Sequence, residues 1–221
     1  MAAPSQRVRG GQGGAQDFPS GADFATAPRF LIGDDGGLER VDDLATEWIA
    51  AAEAHGAHLA PLHMADEAAI EALLDLSFGT GRHQRTAYRL RDGVRADPAA
   101  SCAAFDEHGR LVGSIQSWPL ALVQADGSVT PLWLIGPIAV HPDRRSEGIG
   151  RTMLRRALDA IDRTGIPAVL IGDPGYYEPF GFAADATGNW LLPGPFERHR
   201  LLARLDDGMT LPAEGMLAPR R

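Results

Sequence analysis

The chain contains no lysine: all 21 of its basic residues are arginines, and 29 aspartates and glutamates outnumber them. The formal net charge of −8 makes it a poor nonspecific ligand for nucleic acid, so we expect no nucleic-acid partner. An acidic chain would instead mildly attract cationic small molecules such as amines.

Cysteine and long hydrophobic runs are also scarce. The single cysteine, Cys102, excludes an intramolecular disulfide and a cysteine-based zinc cluster, and its simplest interpretation is a small buried residue of a strand. No apolar run has the length needed to cross a bilayer, so we expect no membrane partner. The N-terminus has no signal-peptide core, and the reducing cytoplasm is therefore the expected location.

The first 56 residues differ in composition from the rest of the chain. Residues 1–37 are rich in glycine and lack periodicity, which predicts a disordered N-terminal leader. Two alternatives stay open for them: a transit peptide, suggested by Arg7 and Arg9, and a start codon assigned too far upstream. In residues 38–56 apolar side chains recur at helical spacing and predict an appended helix (Val41, Leu44, Trp48, Ala52).

The remaining pattern predicts a mixed α/β domain over residues 57–207, with one open β-sheet covered by helices. Residues 208–221 are expected to be a partly ordered C-terminal tail. Asp66 is suited to cap a helix, and Asp126-Gly127 marks a hairpin turn. The predicted strands are 57–63, 101–105, 110–123, 130–140, 168–173, 189–192 and 199–205.

A glycine-containing loop, Arg145-Ser146-Glu147-Gly148-Ile149-Gly150, stands between the apolar run Trp133–Val140 and a helical stretch from Arg151 onward. Its glycines let several backbone N–H groups face one point, and the positive end of the helix dipole is aimed at the same point. Such a device suits the binding of a diphosphate. Taken alone the hexapeptide is a weak signal, because glycine-rich turns precede many helices that bind nothing.

The strand before this loop contains Gly136-Pro137. Proline cannot donate to a sheet ladder, so this dipeptide predicts a bulge or a splay that interrupts the pairing of the strand. Backbone donors that do not pair with a neighbouring strand are free to hold a ligand.

A second buried strand, Ala168–Asp173, is followed by Tyr177 and, four residues later, by Gly181-Phe182. The order and spacing of these two motifs over residues 130–182 closely resemble the GNAT family of acetyl-CoA-dependent N-acetyltransferases. The resemblance implies the GNAT acyl-CoA N-acyltransferase fold, with a single splayed mixed sheet covered by helices. It further implies an enzyme that transfers the acetyl group of acetyl-CoA directly to a primary amine of a small molecule or peptide.

The same resemblance implies where acetyl-CoA, the co-substrate, would bind. The diphosphate is expected on the loop N–H groups, with arginines supplying charge, and the pantetheine arm along the splayed strand. The expected binding residues are Ile138, Ala139, Val140, Arg144, Arg145, Ser146, Glu147, Gly148, Ile149, Gly150 and Arg151. The Val140 N–H is the candidate for polarising the thioester carbonyl, and no metal is expected.

Tyr177 is the candidate general acid, because the family spacing selects it over the adjacent Tyr176. The general base stays open among a water chain, Asp173, His141 and a residue of the N-terminal half. Residues 79–95, with Tyr88, His83 and several arginines, form either part of the acceptor wall or a solvated surface. A noncatalytic acyl-CoA-binding sensor is the rival hypothesis, and a homodimer is left open.

Overall fold

The computed structural model describes residues 30–32, 38–40, 56–206 and 208–221. The chain forms two units, Met1–Ala45 and Thr46–Arg221. In the first unit, strand β1 (Phe30–Ile32) pairs antiparallel with strand β2 (Leu38–Arg40).

This β1–β2 pair differs from the prediction for the N-terminal region, since β1 lies in the expected leader 1–37 and β2 in the expected helix 38–56. Aromatic and β-branched residues favour strands, and the glycine-rich average of the leader conceals the short run Phe30-Leu31-Ile32. The rest of the leader and residues 41–55 lie outside the described residues. The disordered leader and the appended helix therefore stay predictions there.

The second unit is built on one eight-stranded mixed sheet. Its strands are β3 (Ala57–Pro61), β4 (Cys102–Asp106), β5 (Leu111–Val123), β6 (Val129–Val140), β7 (Ala168–Ile171), β8 (Asn189–Leu191), β9 (Leu201–Arg204) and β10 (Glu214–Pro219). The central order is β3-β4-β5-β6-β7-β9, and β10 pairs with both β5 and β8. The α/β class predicted from the sequence is confirmed.

Strand β10 occupies part of the segment 208–221, for which the sequence predicted a partly ordered tail. It pairs antiparallel with residues 120–123, the second half of β5. Because β6 pairs along the other edge of β5, β10 and β4 share one edge, with β4 alongside residues 111–115. The segment therefore completes the sheet, and Leu217 is buried beneath it with 1% of its surface exposed.

Four α-helices lie among the described residues of this unit: α1 (Glu67–Phe78), α2 (Thr86–Arg89), α3 (Ile149–Asp162) and α4 (Pro174–Tyr177). Asp66 caps α1 as predicted, since its carboxylate accepts a hydrogen bond from the N–H of Ala69 at 3.1 Å. Helix α3 packs closely on β5 at Gly113, where an added Cβ would stand 2.9 Å from the Met153 methyl group. No helix of the described part of the chain is long and apolar enough to cross a bilayer.

The predicted interruption of β6 is present and opens the sheet. The Gly136-Pro137 peptide bond is cis, and the register of β6 against β5 shifts between Ile115 and Ser117. Strand β7 pairs with β6 in parallel only at Trp133 and Leu134. Beyond Leu134 the two strands diverge, and no other strand of the described residues lies along that edge of the second half of β6.

Candidate active site

The open edge of β6 presents backbone N–H groups. The His141 N–H donates to the Val112 carbonyl at 2.8 Å, and Val140 is the register partner of Gly113. In an antiparallel pair this pattern makes Val140 a non-hydrogen-bonded position, so its N–H and C=O point away from β5. Ile138, two residues earlier, has the same orientation. Both N–H groups therefore face the gap that β7 leaves.

Ala139 has the opposite orientation. It alternates with these two residues, so its backbone groups face β5 and its side chain is 1% exposed. Of the three β6 residues predicted to contact the donor, two therefore present backbone groups to the gap and one does not.

The loop after β6 has the backbone conformation of an anion-binding turn. Ser146 and Gly148 adopt positive φ angles of 68° and 86°, and Gly148 is the N-terminal cap of α3. The first helical bond of α3 runs from the Thr152 N–H to the Gly148 carbonyl at 3.0 Å. The N–H groups of residues 149–151 therefore have no acceptor within the helix, and they stand at its positive end.

The arginines of the loop have different roles. The Arg144 guanidinium binds the Glu147 carboxylate at 2.6 Å and the Gly56 carbonyl at 3.1 Å, and it does not line the adjacent cavity. Arg145 does line that cavity. Arg151 lies over the ring of Tyr176, with its guanidinium carbon 5.9 Å from the ring centre.

The two adjacent tyrosines both reach the cavity but contact different elements. The Tyr176 hydroxyl stands 3.1 Å from the position that a Cβ on Gly150 would take, at the start of α3. The Tyr177 ring lies against Gly172, directly after β7, so closely that a Cβ there would overlap it. Tyr176 is therefore directed at the loop, and Tyr177 lies beside the point where β6 and β7 diverge.

Burial controls the acidity of these hydroxyls. It raises the pKa of Tyr177 to about 12, and the neighbouring Tyr176 acts in the same direction. The Arg200 guanidinium partly opposes this effect and favours the ionised form. Burial also raises the pKa of Tyr176, against the influence of Arg151. Both side chains are therefore neutral phenols at neutral pH.

A cavity of about 980 Å³ unites these features. Its walls include the open half of β6, the start of α3, the end of β7 with both tyrosines, and residues 195–197. Four of the predicted donor-binding residues line it: Ile138, Val140, Arg145 and Gly150. His141 does not line it, and neither do the other seven predicted donor-binding residues: Ala139, Arg144, Ser146, Glu147, Gly148, Ile149 and Arg151.

Residues between 77 and 91 also line the cavity, which is compatible with the acceptor-wall alternative for this segment. Its anchor is Arg82, which is 2% exposed and binds Glu71, Asp75 and Tyr88. Burial acts to lower the pKa of Arg82, but hydrogen bonds with Glu71, Tyr88 and Asp75 outweigh it and raise the pKa above its ordinary value. The sequence did not single out Arg82, because its two carboxylate partners lie on α1, outside the polar segment that contains Arg82.

The two carboxylates on the cavity wall, Asp173 and Glu197, are suited to take a proton. Asp173 is exposed and caps α4 through a 3.0 Å hydrogen bond from the Gly175 N–H. Glu197 lies 3.6 Å from Arg200 and was not predicted. The His141 ring accepts from the Asp143 N–H at 3.3 Å, which uses it as a turn cap outside the cavity. Among the described residues, no group of three or more His, Cys, Asp or Glu side chains could hold a metal ion.

Comparison with known proteins defines the class of this protein. Residues 58–184 match the family described as the acetyltransferase (GNAT) domain. The chain is 30% identical over 155 residues to an Escherichia coli (strain K12) protein named as an uncharacterized N-acetyltransferase, YhbS, covering 66% of this chain and 87% of that protein.

Two solved structures have a similar fold. The crystal structure of the Escherichia coli protein YhbS in complex with CoA superimposes with a TM-score of 0.59 at 24% identity, covering 76% of this chain and 91% of that one. A GNAT family acetyltransferase from Brucella melitensis in complex with acetyl-CoA has a TM-score of 0.54 at 25% identity, with coverages of 75% and 97%.

These matches define an acyltransferase. The chain belongs to the GNAT family of N-acetyltransferases, and the resemblance drawn from its two motifs is confirmed.

Proposed function

We propose that the protein transfers the acetyl group of acetyl-CoA directly to a primary amine of a small molecule or peptide. One observation carries this proposal. The outward-facing backbone of Ile138 and Val140 borders the same cavity as the N-terminus of α3. An amide-bearing arm can pair with the first feature while its diphosphate binds at the second.

The residues present fit acetyl-CoA. The N–H groups from Ser146 to Arg151 would hold the diphosphate, with Arg145 and Arg151 supplying positive charge. Since the side chains of Arg144 and Glu147 bind each other, we propose that this pair holds the loop in shape. Ile138 and Val140 would pair with the amides of the pantetheine arm, and Ala139 would support them from the buried side.

When bound, acetyl-CoA supplies a thioester as the acyl donor. The Val140 N–H would donate to the carbonyl oxygen and stabilise the negative charge that develops when the amine attacks. Tyr177 would donate its phenolic proton to the departing sulfur. A pKa of about 12 keeps this hydroxyl protonated in the resting site but opposes donation to a thiolate whose ordinary pKa is about 8.5. The proposed step therefore depends on the neighbouring Arg200, which favours the ionised form, to stabilise the phenolate left behind.

The attacking amine must lose a proton. Asp173 and Glu197, both on the cavity wall, are the residues we propose for this step, either directly or through water. Glu197 is a candidate beside Asp173 because it lies 3.6 Å from Arg200, and the charge of Arg200 also acts on Tyr177.

A donor titration followed by an acceptor screen tests the proposal. Calorimetry should detect acetyl-CoA binding, and a panel of primary amines should then give acceptor-dependent release of free thiol. Binding without release from any amine would favour the noncatalytic acyl-CoA sensor. Absence of binding would reject both functions.

We also infer that the protein acts in the cytoplasm. Its single cysteine, Cys102, is free and buried, so the chain contains no intramolecular disulfide that an oxidising compartment would have to form. Fractionation of cells that produce the protein tests this inference. A homodimer stays a prediction, to be checked by the mass in solution.

A further inference from the structure

The cavity has the opposite charge balance from the chain as a whole. The protein carries a net charge of −8. The cavity wall has two carboxylates, Asp173 and Glu197, but five arginines (Arg82, Arg85, Arg91, Arg145 and Arg200). A site that selected simple cationic amines would be expected to carry the reverse balance.

Internal pairing accounts for some of these arginines. Arg82 binds Glu71 and Asp75, and Arg200 lies 3.6 Å from Glu197. Arg145 stands at the loop proposed to hold the diphosphate. Arg85 is exposed and donates to the Phe78 carbonyl at 3.0 Å, so water screens its charge.

Arg91 is in a different situation, because its guanidinium lies close to two aromatic rings. Its central carbon is 4.5 Å from the centre of the Tyr88 ring and 5.5 Å from that of Trp118. Its Nε is buried and has no hydrogen-bond partner among the described residues. A buried donor without a partner costs free energy, so this guanidinium is incompletely satisfied within the protein, although its side chain forms a hydrogen bond with Tyr88.

The neighbouring charges leave Arg91 positively charged. Burial lowers its pKa to about 10, Tyr88 and Glu71 act to raise it, and Arg82 acts to lower it further. The guanidinium therefore remains protonated at neutral pH. Glu71 attracts it but is hydrogen-bonded to Arg82.

Arg91 also stands where two cavities meet. Together with Tyr88 it lines both the cavity of about 980 Å³ and a second one of about 540 Å³. Trp118, on the wall of the second cavity, donates its indole N–H to the Gly136 carbonyl at 2.9 Å. This bond connects Trp118, one of the two rings near Arg91, to the interruption of β6.

We propose that the acceptor is an amine that also carries a carboxylate, and that Arg91 binds this carboxylate. The inference rests on the proposed acetyl transfer and narrows its acceptor class to amino-acid-like molecules. A guanidinium matches the planar carboxylate and forms charge-assisted hydrogen bonds with it. Among the described arginines of this cavity, Arg91 is the partly buried one without a salt bridge to a carboxylate, and such a cation suits a group with a single negative charge better than a phosphate dianion.

The rings of Tyr88 and Trp118 help to position the Arg91 guanidinium for this contact. Contact with the Tyr88 and Trp118 rings restricts the motion of the guanidinium, so less entropy is lost when a carboxylate binds. The amine end of the same acceptor would then lie in the cavity that Val140 and Tyr177 border.

The test compares amino acids with their C-terminal amides as acceptors. A carboxylate raises the pKa of a nearby amine, so an amino acid has less unprotonated amine at neutral pH than its amide. If the enzyme did not bind the carboxylate, the amides would therefore be the better acceptors. We expect the parent enzyme to prefer the acids in kcat/KM by about 10- to 100-fold, as charged hydrogen bonds typically allow.

Three variants assign the preference to a residue. Arg91→Gln should bring the acid-to-amide ratio down to one or below, and Arg91→Lys should retain part of it. Arg85→Gln removes a charge from the same cavity at an exposed position, so it should leave the ratio close to that of the parent. Acetyl-CoA affinity, measured by calorimetry, should be unchanged in all three.

Each other outcome overturns the inference. It fails if the parent accepts amides as well as acids, a comparison that needs no variant to fold. It fails equally if Arg91→Gln keeps the acid preference and loses only thermal stability, as a purely packing role predicts. Turnover of amines without any turnover of amino acids also rejects it while leaving the acetyltransferase function intact. Failure to bind acetyl-CoA, by contrast, would reject the proposed function itself.

Discussion

The rings of Tyr176 and Tyr177 meet edge to face with their centres 4.8 Å apart, yet their contacts lie on opposite sides of the site. Tyr176 is directed at Gly150 at the start of α3, whereas Tyr177 packs on Gly172 at the end of β7. Neighbouring residues of the same type can therefore have separate functions, one beside the loop and one beside the position that we propose for the thioester.

Replacement of each tyrosine by phenylalanine separates these functions. Tyr177→Phe should keep acetyl-CoA affinity and lower the single-turnover rate by about 10²–10⁴-fold, the usual contribution of general acid catalysis. Tyr176→Phe should have a much smaller effect on that rate. Equal single-turnover rates for the parent and Tyr177→Phe would defeat the acid assignment, and a selective loss in Tyr176→Phe would move it one residue earlier.

The Val140 N–H can be removed without removing a bond of the β5–β6 ladder, because it points away from β5. Val140→Pro should therefore remain folded but lose about 10²–10³-fold in acetyl transfer, as expected for one oxyanion donor. Val140→Ala keeps the N–H and serves as the control for the side chain. A Val140→Pro enzyme that melts like the parent and transfers acetyl groups at the parental rate would exclude this N–H from catalysis.

The left-handed conformation of Gly148 makes the loop sensitive to a side chain. Gly148→Val should weaken acetyl-CoA binding in calorimetry, because the new side chain would stand where the diphosphate and the tight backbone must lie. Gly127→Val, at a φ angle of 83° in the distant β5–β6 turn, imposes similar backbone strain and should leave affinity unchanged. Parental affinity in a folded Gly148→Val protein would place the diphosphate elsewhere.

Asp106 should contribute to stability in a way that acid removes. Hydrogen bonds from the Arg110 N–H, the Arg110 side chain and the His108 N–H lower its pKa from 3.8 to about 2, although burial acts in the opposite direction. Below about pH 4 the unfolded chain binds the proton first, so stability falls as the pH drops towards 2.

Thermal unfolding from pH 6 to pH 2 checks this dependence. The parent should melt at a higher temperature than Asp106→Asn near neutrality, and the difference should shrink between about pH 4 and 2. Glu107→Gln removes an adjacent exposed carboxylate as a control. A difference between parent and Asp106→Asn that is independent of pH would show that Asp106 acts by shape alone.

Sequence patterns predicted those features of the fold and site that depend on residues close together in the chain. The loop before α3, the interruption at Gly136-Pro137 and the Asp66 cap each depend on residues close together in the chain, and the structure contains all three. Tyr177 could be selected only through the family spacing, and its role is still a prediction.

The features that sequence reasoning missed depend on contacts between distant segments. Arg91 differs from other arginines through its contact with Trp118 on β5. Arg82 differs through its bonds to two carboxylates on α1. Before folding, both resemble other arginines of a polar segment. Strand β10 was missed because its partner edge on β5 is formed by residues nearly a hundred positions earlier.

The late position of β10 has a consequence for synthesis on the ribosome. Residues 120–123 of β5 emerge long before β10 can cover them, so a nascent chain would display an apolar strand edge that invites aggregation or chaperone binding. Protease protection of β5 in stalled nascent chains should therefore appear only after residue 219 has left the exit tunnel. Earlier protection would show that another segment covers this edge during translation.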